Sequence, residues 1–84
     1  MWYTYVIKSK VDGYRYTGIM NDLRKRLSLH NSGKVISTKN RVPFALLYYK
    51  ACFNQQDAAA REKYLKSGMG KRYLKNRLKH FLTG

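Results

Sequence analysis

Hydrophobic and polar positions change spacing several times along this chain, and each change marks an element. Trp2 to Lys8 is rich in aromatic and β-branched residues, the composition of a strand. "VDGY" follows, and Asp12-Gly13 is a two-residue hairpin signal. Tyr14 to Ile19 then reads as the partner strand. If Val11 pairs with Tyr14, Tyr5 falls opposite Met20 and Ser9 opposite Tyr16. The side-chain period of two then puts Tyr5 and Tyr16 on one face of the sheet.

From Asn21 the spacing becomes helical. Asn21 is the expected N-cap, with Asp22 in the first turn, where the helix dipole favours negative charge. The helix runs to about His30, and "NSG" ends it. Leu23 and Leu27 form its apolar stripe, and Arg26 and His30, four residues apart, share one flank of it. The polar, basic loop "NSGKVISTKNRVP" leads into Pro43 to Cys52, "PFALLYYKAC", a third strand so apolar that burial on both faces is expected. Asn54 then caps a second helix, with Asp57 three residues on as a variant capping box. That helix runs to about Ser67, with Gly68 as its C′ residue. "GKRYLKNRLKHFLTG" is a third helix, with Leu74, Leu78 and Phe81 as its stripe and Lys71, Arg72, Lys75 and Lys79 outside it. The order β-β-α-β-α-α predicts an α+β fold, a small three-stranded antiparallel sheet flanked by helices, in a single domain over residues 1–84.

Length and charge narrow the class. A domain of 84 residues buries only about 60% of its unfolded surface, so its core is small. One cysteine, Cys52, allows no internal disulfide; set between apolar residues it reads as inert core, and it suits a reducing compartment. The N-terminal stretch has no apolar run long enough for a signal peptide or a membrane span, so a cytoplasmic location is expected. Lys and Arg number 18 against four Asp and Glu, a net charge of +14. Such a field attracts polyanions, which makes DNA and RNA the default partners. A basic surface with no specific ligand is the plainer reading, and it leaves the self-repulsion unexplained. An anionic membrane surface fits less well, because the aromatic residues lie in strand-like runs rather than on a basic amphipathic helix.

Three of the four acids have local roles: Asp12 in a turn, Asp22 and Asp57 at helix starts. Glu62, the only glutamate, has none. It lies four residues after Ala58 and three before Leu65, on the apolar face of the second helix. A carboxylate there is costly unless paired or bound to a cation. The ordinary reading pairs it with Lys66 or an arginine; the functional one makes it a metal ligand or a catalytic acid/base. Mg²⁺ is often held by one or two carboxylates, with water and phosphate oxygens completing the shell. Tyr5 and Tyr16 can equally be strand packing, Arg26 a solvated charge and His30 a helix cap. No His/Cys pair has zinc spacing, "DGYRYTG" is not a nucleotide-binding glycine loop, and no Ser/His/acid triad is suggested.

These residues together resemble the GIY-YIG nuclease domain. "YTY", Tyr3 to Tyr5, stands at the first motif, and "YTG", Tyr16 to Gly18, at the second. "NDLRKRLSLHN" matches the arginine-bearing helix at Arg26 and His30, and "AAAREKYLKSG" matches the glutamate helix at Glu62. Tyr3 replaces the first glycine, and Thr4 and Thr17 replace the two isoleucines. The likeness covers nearly the whole chain and is closest to the small stand-alone members. It implies a metal-dependent endonuclease acting on nucleic acid, DNA ahead of RNA, in a setting of repair or recombination, with a monomer favoured. The alternative is a binding module on the same scaffold that does not cut. The implied catalytic set is Tyr5, Tyr16, Arg26, His30 and Glu62, with Glu62 holding a single Mg²⁺ or Mn²⁺. Lys34, Thr38, Lys39, Arg41, Lys71, Arg72 and Lys75 would grip the nucleic-acid backbone, and Gly18 would serve a structural turn. Either tyrosine could take the proton from water, provided cationic neighbours lower a phenol pKa from about 10.

Overall fold

From Trp2 to Ile7, side chains on both sides of β1 (Trp2–Ser9) are aromatic, aliphatic or threonine, and in the computed structural model, which describes residues 1–78, this strand is the middle one of the sheet. It pairs antiparallel with β2 (Arg15–Met20) on one edge and with β3 (Phe44–Cys52) on the other, in the order β2-β1-β3. Thr4 to Ile7 are buried without interruption, as a central strand covered on both faces must be. One face carries Tyr5, Ile7 and Phe44, packed against Leu23 and Leu27 of α1 (Leu23–Asn31). The other carries Val6, packed with Leu65 of α2 (Gln55–Lys66) and Leu74 of α3 (Gly68–Arg77). This is the expected α+β architecture. Among the described residues no helix is long and apolar enough to cross a membrane. Phe81 and Lys79 lie outside the described residues.

The β1–β2 register differs from the expected one by two residues. Tyr5 stands opposite Gly18, and Ile7 opposite Tyr16. The turn is longer than a two-residue hairpin because side chains take over its amides. Ser9 Oγ accepts from the N–H groups of Val11 and Asp12, and the Asp12 carboxylate accepts from Tyr14 N–H at 3.0 Å. Gly13, at φ +76°, supplies the left-handed residue this path needs. A slip of two preserves the face of every side chain, so Tyr5 and Tyr16 still share one.

β3 is not buried on both faces. As an edge strand paired only to β1, it buries Phe44 alone, and Tyr49 is 55% exposed. An irregularity opposite Val6 and Ile7 sets Tyr48 and Leu46 as their partners, so Leu47 and Tyr48 both turn toward α2 and α3.

The helix ends follow local chemistry. Asp22, not Asn21, caps α1 by accepting from Lys25 N–H at 3.1 Å. The C-terminus of α1 is a Schellman turn: Gly33, at φ +76°, donates to His30 O and Lys34 donates to Leu29 O. The Asn31 side chain then pairs with both backbone groups of Phe44, fastening the end of α1 to the start of β3. Asn54 caps α2 through the amide of Asp57. Gly68 is not a C′ residue but opens α3, since Ser67 ends one helix and caps the next. Its hydroxyl donates to Tyr64 O at 2.6 Å and accepts from Gly70 N–H at 3.2 Å.

That tight junction needs Gly70. A Cβ there would lie 2.6 Å from Leu65 Cα and overlap the Tyr64 carbonyl oxygen, both rigid backbone atoms. Overpacking of this kind costs about 1–3 kcal/mol or more. Thermal melting of Gly70→Ala should show a Tm lower by roughly 5–20 °C for a domain of this size; an unchanged Tm would mean that the α2–α3 junction relaxes freely.

Candidate active site

Tyr5 reaches its position because the residue opposite has no side chain. A Cβ on Gly18 would lie 2.6 Å from the Tyr5 hydroxyl oxygen and 3.0 Å from the Tyr16 ring. Gly18 is therefore not a turn residue: it lies inside β2, and its bare backbone leaves room for the Tyr5 phenol to lie across it. The ring is 1% exposed. Arg26 Nε donates to the Tyr5 hydroxyl at 3.2 Å, and His30 Nε2 lies 3.1 Å from the same oxygen. One turn of α1 separates Arg26 from His30, so both reach one atom. Tyr16 closes the cluster, with its ring centroid 5.0 Å from that of His30 and 6.3 Å from that of Tyr5.

Burial and charge set the protonation states. Desolvation, and secondarily the Arg26 cation, lower the pKa of fully buried His30 to about 4, so its imidazole is neutral at pH 7. The expected lowering of a phenol pKa does not occur at Tyr5. Burial raises it, and the hydrogen bond and charge of Arg26 offset this only in part. Tyr5 stays protonated. Arg26 is held more firmly protonated than usual, first by its hydrogen bond to Tyr5, with Tyr16 adding to the effect.

Glu62 lies on α2, the helix that packs on the other face of the sheet and against β2. Its charge reaches Tyr5, raising that pKa further. It is half-buried rather than core-facing, with 26% of its side chain exposed, and Lys66 Nζ donates to its Oε2 at 3.2 Å. Among the described residues no group of three or more His, Cys, Asp or Glu side chains could hold a metal ion. The donor set is thus a single accessible carboxylate. That suits a hard cation whose remaining ligands are water and phosphate oxygens, and does not suit zinc.

The expected backbone-gripping residues divide. Thr38 is not on the surface: it is fully buried, and its Oγ1 lies 2.8 Å from His30 Nδ1. Arg41 is occupied, paired with Asp12 and stacked on Tyr14 with its guanidinium carbon 4.2 Å from the ring centroid. Lys34, Lys39, Arg72 and Lys75 are exposed. Lys71 lines a cleft of about 390 Å³ between β2 and the α2–α3 junction, together with Arg15, Lys66, Tyr14 and Tyr16. Arg15 and Lys66 were missed in the sequence. Arg15 follows Tyr14 in the strand pattern and gives no separate signal, and Lys66 reads only as a partner for Glu62.

The family model described as "GIY-YIG catalytic domain" matches residues 1–80. The chain is 40% identical over 67 residues to a UPF0213 protein of Clostridium perfringens, covering 79% of this chain and 71% of that protein. It is 47% identical over 58 residues to a UPF0213 protein of Streptococcus pyogenes, covering 68% of this chain and 61% of the relative. A UPF0213 protein of Bacillus pumilus is 46% identical over 63 residues, 74% of this chain and 62% of the relative. The chain thus spans about six-tenths to seven-tenths of the length of these relatives. No solved structure matches it.

His30 makes stability depend on acid. Unfolded, it binds a proton near its ordinary 6.5; folded, only near about 4. Between those values the unfolded chain holds the extra proton, so this stability is complete above the upper value and is lost as pH falls toward the lower. The loss is roughly 3 kcal/mol. Urea unfolding in a pH series should show this fall, and His30→Gln should flatten it; a wild-type stability that is level from pH 7 to pH 4 would refute the neutral, buried imidazole.

Proposed function

This chain belongs to the GIY-YIG family, and from that membership we propose that it is a metal-dependent endonuclease hydrolysing phosphodiester bonds in nucleic acid, DNA ahead of RNA. The observation that carries the reading is Arg26, held through Nε by a buried phenol, with no carboxylate paired to it among the described residues. A guanidinium anchored at Nε keeps its terminal nitrogens for an anion, and its planar fork matches phosphate oxygens.

In this reading Arg26 stabilises the negative charge that grows on the phosphoryl oxygens as water attacks. Tyr5, neutral and buried, positions that guanidinium. Tyr16, the half-buried phenol at the β2 edge, orients the attacking water and takes its proton while passing its own hydroxyl proton to a phosphate oxygen. Glu62 would hold one Mg²⁺ or Mn²⁺ once Lys66 releases it. The cation, when bound, would neutralise a non-bridging phosphate oxygen and the leaving oxygen. Lys66, Lys71 and Arg15, around the neighbouring cleft, contact the backbone without reading bases.

The second reading, a nucleic-acid-binding module that does not cut, is favoured by the Lys66–Glu62 ion pair, which neutralises the one available carboxylate. Glu62→Gln separates the two. An exposed i,i+4 pair contributes only about 0.3–0.5 kcal/mol, so the variant should melt within a few degrees of wild type. Mg²⁺-dependent cleavage of branched, single-stranded or duplex DNA should fall at least ~100-fold, a loss of about 2.7 kcal/mol in transition-state stabilisation. Metal-free DNA affinity should hold or improve. A Glu62→Gln protein that cuts at full rate per folded molecule would end the metal-ligand assignment, and a wild type that binds DNA without cutting in Mg²⁺ or Mn²⁺ would favour the binding module.

A further inference from the structure

The loop between α1 and β3 places one buried hydroxyl beside the site. Thr38 sits at the start of the 3₁₀ turn Lys39–Arg41 and is 0% exposed, as is His30. Its Oγ1 is 2.8 Å from His30 Nδ1 and 3.4 Å from the carbonyl oxygen of Val35, to which it donates. Following the hydrogens along Thr38, His30, Tyr5 and Arg26 determines the histidine's tautomer.

Arg26 Nε can only donate, so the Tyr5 oxygen accepts there. If His30 carries its proton on Nδ1, that N–H donates to Thr38 Oγ1, and the Thr38 hydroxyl donates onward to Val35 O. The bare Nε2 then accepts the Tyr5 proton, and each hydrogen passed along Thr38, His30, Tyr5 and Arg26 Nε has an acceptor. If the proton is on Nε2 instead, both Nε2 and Arg26 Nε donate to the Tyr5 oxygen. The Tyr5 hydrogen then has no acceptor among the hydrogen bonds of the described residues, inside a ring that is 1% exposed. A buried donor without a partner is disfavoured, so the first arrangement prevails.

We propose that Thr38 is a positioning residue: its hydroxyl, donating to Val35 O, accepts the Nδ1–H of the tautomer that Arg26 and Tyr5 require, so that His30 can take the Tyr5 proton at Nε2 and leave the Tyr5 oxygen to fix Arg26. The part of the proposal that concerns cleavage rests on the nuclease reading above; the tautomer does not. The role explains why a threonine inside a basic, polar loop is buried, and it requires the loop to fold back as a 3₁₀ turn against α1.

The test is the ¹⁵N NMR signature of the His30 ring, whose protonated and bare nitrogens have well-separated shifts, recorded at neutral pH. Wild type and Thr38→Ser should show the proton on Nδ1. Thr38→Val, equal in size but without the hydroxyl, should admit the Nε2–H form. With Mg²⁺ and DNA, Thr38→Val should cut roughly tenfold more slowly, comparable with the loss of a histidine-orienting partner at metal sites, with DNA affinity within about twofold, and Thr38→Ser should restore the rate. An Nε2–H tautomer in wild type, or an unchanged Nδ1–H tautomer in Thr38→Val, would overturn the proposal. Thr38→Val that cuts at the wild-type rate despite an altered tautomer would overturn the positioning role. If Thr38→Val fails to fold, the wild-type and Thr38→Ser spectra decide. If the wild type cuts nothing, the nuclease reading fails and the tautomer alone is judged.

Discussion

One oxygen atom, the Tyr5 hydroxyl, organises the site. It takes the Nε–H of Arg26 and faces the Nε2 of His30, both within 3.2 Å, with the Tyr16 ring packed beside it. Burying a phenol is costly unless its hydroxyl is satisfied, and burying a guanidinium edge is costly unless something accepts from it. Each group offsets the other's desolvation. The arrangement needs β1 at the centre of the sheet, a bare Gly18 across from Tyr5, and an α1 whose Arg26 and His30 lie one turn apart. His30 is in turn held by Thr38, so the long loop before β3 is part of the same support.

The sheet separates two chemistries. On one face, α1 and three aromatic rings pack around buried His30, with one cation, Arg26, set beside them. On the other, α2 and α3 bury an aliphatic core, and α2, which packs against β2, carries Glu62 one turn before Lys66, which lines a cleft with Arg15 and Lys71. In the proposed reading, the guanidinium fixed by Tyr5 and the Glu62–Lys66 pair act on one anionic polymer. A net charge of +14 would draw such a polymer toward the protein, through a field that acts over about a Debye length in salt.

Much of this was legible in the sequence, and the misses have physical causes. Side-chain parity placed Tyr5 and Tyr16 together even though the hairpin register was two residues out, because a slip of two changes no face. Helical spacing joined Arg26 to His30, and Gly33 ended α1 as expected. The apolar run of β3 misled because periodicity does not distinguish a central strand from an edge strand with large tyrosines. Gly68 was misplaced because Ser67 could cap two helices at once, which a one-helix reading does not anticipate. Thr38 was read from its charged neighbours, yet its hydroxyl serves His30, a tertiary contact with no local signal. Glu62 proved intermediate: beside the apolar stripe, half-buried, and paired with Lys66 as the plainer reading had it.

The account depends most directly on the Tyr5 hydroxyl holding Arg26, and hydrogen exchange of the arginine Nε–H groups, followed by NMR in wild type and in Tyr5→Phe, measures that hold. In wild type, Arg26 Nε–H should exchange many-fold more slowly than that of Arg24, which is exposed on the same helix. In Tyr5→Phe the two should exchange at similar rates. Equal rates in wild type, or an Arg26 that remains protected in Tyr5→Phe, would contradict the claim that this one hydroxyl fixes the guanidinium.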